Sequence, residues 1–168
     1  NGWLDSLDKK ILKNIKIIRG DIRDYNFLHN NTKKIDIVLH LAALIGIPYS
    51  YHAPESYIDT NTKGTLNILN CALNNKISQV IITSTSEVYG SAKKIPIFEN
   101  HSLNAQSPYA ASKISADHLA LSYHKSFNLP VTILRPFNCF GPRQSARAII
   151  PTILSQILNK KNVKVGNL

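Results

Sequence analysis

Gln79-Val80-Ile81-Ile82-Thr83-Ser84 is a short apolar run that leads directly into Thr85-Ser86-Glu87-Val88-Tyr89-Gly90. An apolar run without polar alternation is typical of a strand buried on both faces, as in a parallel sheet covered by helices. Similar runs occupy residues 35–43 and 131–135, and residues 14–19 form a further candidate strand that ends at Gly20. The chain therefore offers four strands for one parallel sheet.

Helical patterns lie between and after these strands. Leucine and alanine recur at helical spacing through residues 66–73. Ser107-Pro108 has the N-cap and first-turn proline of a helix that we expect over residues 109–127, and an amphipathic helix is predicted over residues 149–158. This alternation predicts an α/β fold with a doubly wound parallel sheet.

The composition is that of an ordinary globular protein: 168 residues, of which 43% are hydrophobic and 18% are charged. No apolar run approaches the ~20 residues of a membrane span, so we expect no membrane partner. Two cysteines are too few for a disulfide framework, which predicts a reducing, cytoplasmic setting. The chain has no methionine and begins without a signal peptide, so we interpret it as a piece of a longer protein.

The formal net charge of +10 raises the question of nucleic-acid binding. The lysines are scattered in pairs such as Lys9-Lys10, Lys33-Lys34 and Lys93-Lys94, without a basic stripe interleaved with aromatic residues. We therefore predict no nucleic-acid partner. A positive field of this kind attracts anionic substrates such as nucleotides.

Tyr109 and Lys113 form the first candidate catalytic pair because residues four apart on a helix share one face. A tyrosine with a pKa of about 10 is a poor base at neutral pH, and a nearby ammonium lowers that pKa. A phenol tuned in this way takes a proton from a hydroxyl while the same carbon is oxidised. A surface contact is the alternative, but the position downstream of a buried strand ending in Ser-Thr-Ser-Glu favours catalysis.

The polar cluster after the opening run supplies further candidates, because ligands bind beyond the carboxyl ends of strands in open α/β sheets. Ser84, Thr85 and Ser86 either terminate the strand through backbone hydrogen bonds or donate to a substrate oxygen. Glu87 is either a solvated loop carboxylate or a catalytic one. His40 lies inside an apolar run, which favours a buried, hydrogen-bonded histidine. The other histidines lack metal-ligand spacing, so no metal is predicted.

Six motifs occur in the order found in a known family and together cover nearly the whole chain. They are GDIRD at residues 20–24, HLAA at 40–43, DTNTKGT at 59–65, STSEVYG at 84–90, YAASK at 109–113 and RPFNCFGPR at 135–143. In these motifs the sequence resembles the extended short-chain dehydrogenase/reductases of the NAD-dependent epimerase/dehydratase family. The resemblance implies a Rossmann-like sheet, NAD, a nucleotide-sugar substrate, and a homodimer built from the Tyr109 helix and a helix over residues 54–74.

Two stretches indicate which subgroup of this family the sequence resembles. Residues 43–51 and 143–152 are similar to the UDP-N-acetylglucosamine 4,6-dehydratases of legionaminic-acid-type sugar synthesis. That similarity implies oxidation at carbon 4, elimination of water across carbons 5 and 6, and return of the hydride to the sugar. A UDP-sugar 4-epimerase, a UDP-glucuronate decarboxylase and an inactive fragment stay open as alternatives.

The resemblance also implies a role for each matching residue. Tyr109 is the catalytic base and Lys113 its partner, Thr85 binds the sugar 4-hydroxyl, and Ser86 and Glu87 complete the catalytic group. The residues expected to bind NAD are Asp21, Ile22, Leu41, Ala42, Ala43, Asn61, Ser84, Tyr109, Lys113 and Pro136. Those expected to bind the substrate are Thr85, Asn138 and Arg143.

The sequence departs from the family at two places. The glucose dehydratases have Thr-Asp-Glu where this chain has Thr85-Ser86-Glu87, so Glu87 is left to carry the elimination. The seven glycines nowhere form the Gly-x-x-Gly-x-x-Gly loop that binds the cofactor's pyrophosphate. We therefore predict a partial Rossmann domain over residues 1–145, lacking its first strands, and only the start of the substrate-binding region over residues 146–168. We expect these 168 residues alone to bind NAD poorly and to turn nothing over.

Overall fold

The structure is a computed structural model that describes residues 4, 6–159 and 162–164. The chain divides into two compact units, one formed by residues 19–137 and the other by residues 1–18 with residues 138–168. The outermost residues of both predicted domains lie outside the described residues. The predicted boundary between residues 145 and 146 stays a prediction.

The larger unit is built on a parallel sheet of three strands, Ile37–His40 (β1), Gln79–Thr83 (β2) and Val131–Leu134 (β3). They lie side by side in the order β1-β2-β3, with Ile37 opposite Gln79 and Val80 opposite Val131. Each strand falls within an apolar run of the sequence. The predicted α/β class with a parallel sheet is therefore confirmed.

Seven α-helices are described along the chain. They are Lys9–Leu12 (α1), Tyr25–Asn31 (α2), Ile47–Ser50 (α3), Pro54–Tyr57 (α4), Gly64–Asn74 (α5), Pro108–Phe127 (α6) and Ile149–Leu158 (α7). A π-helical segment, Ile58–Lys63, joins α4 to α5 without a break, and a 3-10 turn, Ser86–Tyr89, follows β2. None of the described helices is both long and apolar enough to cross a membrane.

Local sequence signals correctly predict where α6 begins and where it ends. The Ser107 side chain accepts a hydrogen bond from the Ala110 backbone N–H at 3.1 Å, and Pro108 occupies the first turn, where its missing N–H costs nothing. Asn128 ends the helix in the left-handed conformation, with a φ of 54°. This firm start matters because Tyr109 lies in the first turn of α6.

One face of the sheet packs against α5 and α6. Val80 and Ile82 of β2 are fully buried against Leu69 and Ala72 of α5 and Ala120 of α6. Each large apolar side chain removed from water in this way stabilises the fold by roughly 1.5–3 kcal/mol. This layer fixes the two helices that carry the candidate site.

The other face of the sheet is open among the described residues. Ile37 and Leu39 of β1 are 57% and 63% exposed, and Leu134 of β3 is 49% exposed. The expectation that these strands are buried on both faces is therefore wrong for β1 and β3, because α5 and α6 both pack on the opposite face.

The prediction of a strand at residues 14–19 is also wrong. Lys13 and Asn14 form a turn after α1, and residues 15–20 belong to no helix or strand. A strand requires a hydrogen-bonded neighbour, and no described strand pairs with this segment. Ile17 and Ile18 are consequently 48% and 43% exposed.

Gly90, which ends the 3-10 turn, has a φ of 63° and a ψ of −147°, a conformation that L-residues avoid. A Cβ at this position would lie 2.5 Å from the Asn104 carbonyl oxygen. We therefore expect Gly90→Ala to lower the free energy of unfolding by about 1–3 kcal/mol. Gly46→Ala is the matched control, because Gly46 has a φ of −74° and its Cβ would meet no atom closer than 3.6 Å. Equal urea midpoints for the two variants would contradict the strain argument.

Candidate active site

The structure brings Tyr109, Thr85 and Glu87 together. Tyr109 is 6% exposed at the start of α6, and the Thr85 side chain just beyond β2 lies close enough to its phenol to lower the pKa of Tyr109. The Thr85 hydroxyl also accepts the Glu87 backbone N–H at 3.2 Å. Glu87 is exposed, and its negative charge acts on the phenol. A phenol, a hydroxyl and a carboxylate therefore face one place beyond the carboxyl end of β2.

Lys113 lies one helical turn after Tyr109 and is also buried, which confirms that the two share a helix face. Its ammonium group donates a hydrogen bond to the Thr83 carbonyl oxygen at 2.5 Å. Burial lowers the pKa of Lys113, and the negative charge of Asp117 partly offsets this effect. A buried cation of this kind is available to stabilise negative charge close to Tyr109.

The pKa of Tyr109 differs from the sequence-based expectation. Burial is the main cause that raises this pKa above its ordinary value, with smaller contributions from Glu87 and Tyr57, whereas the nearby Thr85 side chain lowers it. The expectation that Lys113 lowers the pKa of Tyr109 is wrong for this structure, because the ammonium is directed at the Thr83 carbonyl. The phenol is therefore held protonated.

The turn after β2 is tied to the end of β3. The Ser84 N–H donates to the Leu134 carbonyl oxygen at 2.7 Å, and the Ser86 N–H donates to the Pro136 carbonyl oxygen at 3.1 Å. The Ser84 hydroxyl is buried and has no hydrogen-bond partner among the described residues. A buried polar atom without a partner is costly, and a ligand that bonds it would remove that cost.

The residues that follow β1 form a partly exposed apolar surface. Leu41 and Ala42 are exposed and Ala43 is half-buried, so small and apolar side chains line the exit of the strand. Together with the free Ser84 hydroxyl, these residues fit a flat, partly polar cofactor such as NAD. The residues expected to contact the cofactor near Tyr109 are thus compatible with it.

Asn61 is placed differently from the expectation that it binds the cofactor. It is 1% exposed, and its amide group donates to the Leu44 carbonyl oxygen and to the Ser112 hydroxyl, both at 2.9 Å. Its carbonyl oxygen accepts the Leu44 N–H at 2.8 Å. Both amide protons are donated to groups of the protein itself, so the side chain connects the loop after β1 to α6 and is not available to bind a ligand.

Asp21 and Ile22 also have partners within the protein. The Asp21 carboxylate binds the Arg23 guanidinium at 2.6 Å, and this hydrogen-bonded ion pair lowers the pKa of Asp21 to about 2. Ile22 packs against the core, where a Cβ on Gly64 would lie 2.9 Å from its Cγ2 atom. An adenine contact at Asp21 would have to share the carboxylate with Arg23.

Asn138 and Arg143 belong to the second compact unit. Within that unit Asn138 lines a cavity of about 220 Å³ together with Phe140 and Gln144, and Arg143 has a positive φ of 72°. Their predicted approach to the substrate stays a prediction.

Sequence reasoning missed a buried ion pair next to the site. Asp117 is fully buried, and its carboxylate accepts the Arg135 Nε–H at 2.9 Å. The Arg135 guanidinium also lies 5.3 Å from the centre of the Tyr89 ring. The available signal was the spacing of Asp117 one turn after Lys113, which indicates the same buried helix face. Among the described residues no group of three or more His, Cys, Asp or Glu side chains is arranged to hold a metal ion.

His40 is the buried, hydrogen-bonded histidine that the sequence predicts, with Nε2 3.0 Å from the Thr65 hydroxyl. Burial is the main cause that lowers its pKa to about 4, and the positive charge of Lys113 adds to the effect. His40 is therefore neutral at neutral pH.

Comparison with known proteins gives a consistent result. The sequence matches the family described as GDP-mannose 4,6 dehydratase over residues 1–168. It is 38% identical over 165 residues to the dTDP-D-glucose 4,6-dehydratase of Dictyostelium discoideum, covering 90% of this chain and 38% of that protein. It is 33% identical over 160 residues to the human dTDP-D-glucose 4,6-dehydratase, covering 94% of this chain and 45% of that protein.

Solved structures of similar proteins carry the same fold. DesIV, a dTDP-glucose 4,6-dehydratase from Streptomyces venezuelae with NAD and TYD bound, is 35% identical with a TM-score of 0.80, over 85% of this chain and 44% of that chain. The UDP-N-acetylglucosamine 4-epimerase from Methanobrevibacter ruminantium M1, in complex with UDP-N-acetylmuramic acid, is 37% identical with a TM-score of 0.88. That match covers 94% of this chain and 52% of the epimerase. The chain thus spans about half or less of the proteins it matches.

The lowered pKa of His40 predicts that the fold becomes less stable at acidic pH. Its pKa is about 4 in the fold against an ordinary value of 6.5, so protonation favours the unfolded chain. The contribution is fully present above pH ~6.5 and is lost as the pH falls toward ~4. We expect a loss of about 2 kcal/mol in unfolding free energy between pH 7 and pH 5. Urea titrations of His40→Gln, which does not titrate, should show a weaker pH dependence, and an unchanged dependence would contradict the assignment.

Proposed function

Because the chain belongs to the GDP-mannose 4,6 dehydratase family of NAD-dependent nucleotide-sugar enzymes, we propose that it carries the reaction centre of a 4,6-dehydratase acting on a UDP-N-acetylglucosamine-like substrate. The observation that carries the proposal is the meeting of Tyr109, Thr85 and Glu87 beyond β2. These groups suit removal of a hydroxyl proton followed by removal of a carbon-bound proton beside a ketone.

Tyr109 takes the proton of the sugar 4-hydroxyl. In our proposal the Thr85 hydroxyl, which lies close to the phenol, donates a hydrogen bond to the same sugar oxygen. Since burial raises the pKa of Tyr109, the phenol needs positive charge nearby before it acts as a base. Lys113, one turn along the same buried face, supplies that charge when its ammonium leaves the Thr83 carbonyl.

NAD, when bound, supplies the oxidation of the sugar carbon and its later reduction. In our proposal Ser84, Leu41, Ala42, Ala43, Lys113 and Pro136 hold the cofactor, with the unpartnered Ser84 hydroxyl as the strongest local support. Asp21 contacts the adenine end of the cofactor with a carboxylate that also remains bound to Arg23.

Glu87 carries the elimination. A ketone at carbon 4 acidifies the hydrogen at carbon 5, and the exposed carboxylate is free to remove it. Ser86 occupies the place of the aspartic acid found in the glucose dehydratases and does not deliver a proton at neutral pH. We therefore assign both steps to Glu87, which passes the proton it has gained to the departing 6-hydroxyl.

The substrate assignment is supported by residues 43–51 and 143–152, which resemble the UDP-N-acetylglucosamine 4,6-dehydratases. Asn138 and Arg143 are the proposed contacts to the nucleotide-sugar phosphates. Relatives that are 38% and 36% identical are dTDP-glucose enzymes, so dTDP-glucose is the substrate to compare directly.

A UDP-sugar 4-epimerase is the second candidate, supported by the TM-score of 0.88 to an epimerase and by the serine at position 86. An epimerase needs Tyr109 and Thr85 but not Glu87. A UDP-glucuronate decarboxylase also shares the Thr-Ser-Glu triplet, and it would release carbon dioxide instead of water.

Three further parts of the proposal concern the protein as a whole. Residues 1–168 alone bind NAD weakly, because the glycine-rich loop for the pyrophosphate does not occur in them. The active protein is a homodimer through α6 and the helical run of residues 54–74, where Ile58 is 49% exposed. Its setting in our proposal is the reducing cytoplasm, because two cysteines are too few for a disulfide framework.

Replacing Tyr109 with phenylalanine tests the oxidation step. The change removes the proton acceptor but keeps the ring, so we expect turnover of UDP-N-acetylglucosamine by the protein that carries this chain to fall about 100-fold or more. Tyr123→Phe is the control, because it makes the same change at the far end of α6. Near-normal turnover by the Tyr109 variant would refute the assignment.

Glu87→Gln tests the elimination. The amide does not accept a carbon-bound proton, so we expect oxidation at carbon 4 to continue while water loss stops. Absorbance of the reduced cofactor and mass spectrometry of the sugar should show the reduced cofactor accumulating without loss of water. Glu99→Gln, at an exposed position in the segment before α6, is the control and should dehydrate normally. A dehydrated product from the Glu87 variant would favour another base, and an isomerised product from the unaltered protein would favour the epimerase.

A further inference from the structure

A chain of buried hydrogen bonds runs from β1 to Tyr109. His40 at the end of β1 bonds the Thr65 hydroxyl in the first turn of α5 at 3.0 Å. The Thr65 hydroxyl donates a hydrogen bond to the backbone carbonyl oxygen of Asn61, within the π-helical segment, at 2.6 Å. The Asn61 side chain bonds the Ser112 hydroxyl at 2.9 Å, and Ser112 bonds the Tyr109 carbonyl oxygen at 2.7 Å.

The direction of each bond follows from the number of protons available. A hydroxyl has a single proton, and Thr65 donates its proton to the Asn61 carbonyl, so it accepts a hydrogen bond from His40. His40 therefore carries its proton on Nε2. In the same way Ser112 donates to the Tyr109 carbonyl and accepts from the Asn61 amide. The donors and acceptors match along the whole chain in one arrangement.

The members of this chain are all hidden from water. Asn61 and Thr65 are each 1% exposed, Ser112 is fully buried and His40 is 5% exposed. In a low-dielectric interior a fully matched network is rigid, and removal of one member leaves a partner group unsatisfied. The network therefore has one geometry that it strongly favours.

The network spans a π-helical turn, Ile58–Lys63, which is wider than an α-helical turn and is frequent at functional sites. Thr65 holds this turn from the α5 side, and the Asn61 side chain ties it to the loop at Leu44 and to α6 at Ser112. These hydrogen bonds connect Thr65 to the first turn of α6, where Tyr109 lies.

We propose that His40 and Thr65 are positioning residues for Tyr109: their hydrogen bond fixes the π-helical turn, and Asn61 and Ser112 transfer that position to the start of α6. Neither residue touches the reacting atoms. The inference rests on the proposed function only for its kinetic readout, since the placement of Tyr109 is measurable by itself.

Thr65→Val and Thr65→Ser form a matched pair of variants. Valine keeps the shape and removes the hydroxyl, whereas serine keeps the hydroxyl. We expect Thr65→Val to lower kcat about tenfold or more with KM little changed, because small displacements of a catalytic group are costly. Thr65→Ser should restore kcat to the value of the unaltered protein.

Fluorine NMR of the protein labelled with 3-fluorotyrosine measures changes in the surroundings of Tyr109. The Tyr109→Phe variant identifies its resonance, because that signal is missing from its spectrum. We expect Thr65→Val to shift the Tyr109 signal and the pH midpoint of its titration, and Thr65→Ser to leave both unchanged. Tyr123→Phe removes a 2.6 Å hydrogen bond to Asn70, between the same two helices at their other end, and should not move the Tyr109 signal.

An unmoved Tyr109 signal in Thr65→Val would overturn the proposal, as would an equal shift in Tyr123→Phe. Should Thr65→Val fail to fold, Ser112→Ala interrupts the same network next to Tyr109, and a folded Ser112→Ala with an unmoved signal overturns it equally. Because the fluorine signal needs no turnover, absence of dehydratase activity would contradict the proposed function while leaving this test decisive.

Discussion

The side chain of Asn61 makes three hydrogen bonds on which the arrangement of the site depends. Two of them hold the backbone of Leu44 in the loop after β1, and the third reaches Ser112 on α6. The loop that leaves β1, the helical run through α5 and the helix of Tyr109 therefore meet at one buried amide. Since α5 and α6 are anchored to the sheet by apolar packing, this amide sets how the loop after β1 lies relative to α6.

The electrostatics of the site follow from the same burial. Burial raises the pKa of Tyr109 and lowers the pKa values of Lys113 and His40, so each group is biased toward its neutral form. A protonated phenol is ready to donate, and it becomes a base only when positive charge approaches. The reversible oxidation that we propose requires such a group, because the phenol takes up a proton in one half of the reaction and returns it in the other.

The sequence was most informative where local chemistry decides the structure. The apolar runs around Val80 and Val131, the Ser107-Pro108 start of α6 and the spacing of Tyr109 and Lys113 all correspond to observed elements. Residues 14–19 show the limit of such patterns, because a strand depends on a partner that the pattern does not contain. The same reason explains the exposed face at Leu39, where burial depends on which helices pack there.

The hydrogen-bond partners of Asn61, Thr65 and His40 could not be predicted from the sequence for a different reason. Each lies in a motif, but hydrogen bonds to partners 17 to 51 residues away decide whether a motif residue faces a ligand or braces the fold. Asn61 was expected at the cofactor and instead commits its amide protons within the protein. Ser84 is the opposite case, because its buried hydroxyl is left without a partner among the described residues.

The most direct test of this account is the mass of the sugar product formed from UDP-N-acetylglucosamine in deuterium oxide by the protein that carries this chain. Removal of the carbon 5 proton by Glu87, followed by elimination, predicts a product that has lost one water and gained one carbon-bound deuterium at carbon 5. A product of unchanged elemental composition without deuterium at carbon 5 would contradict the account and would indicate that Tyr109 serves an epimerase.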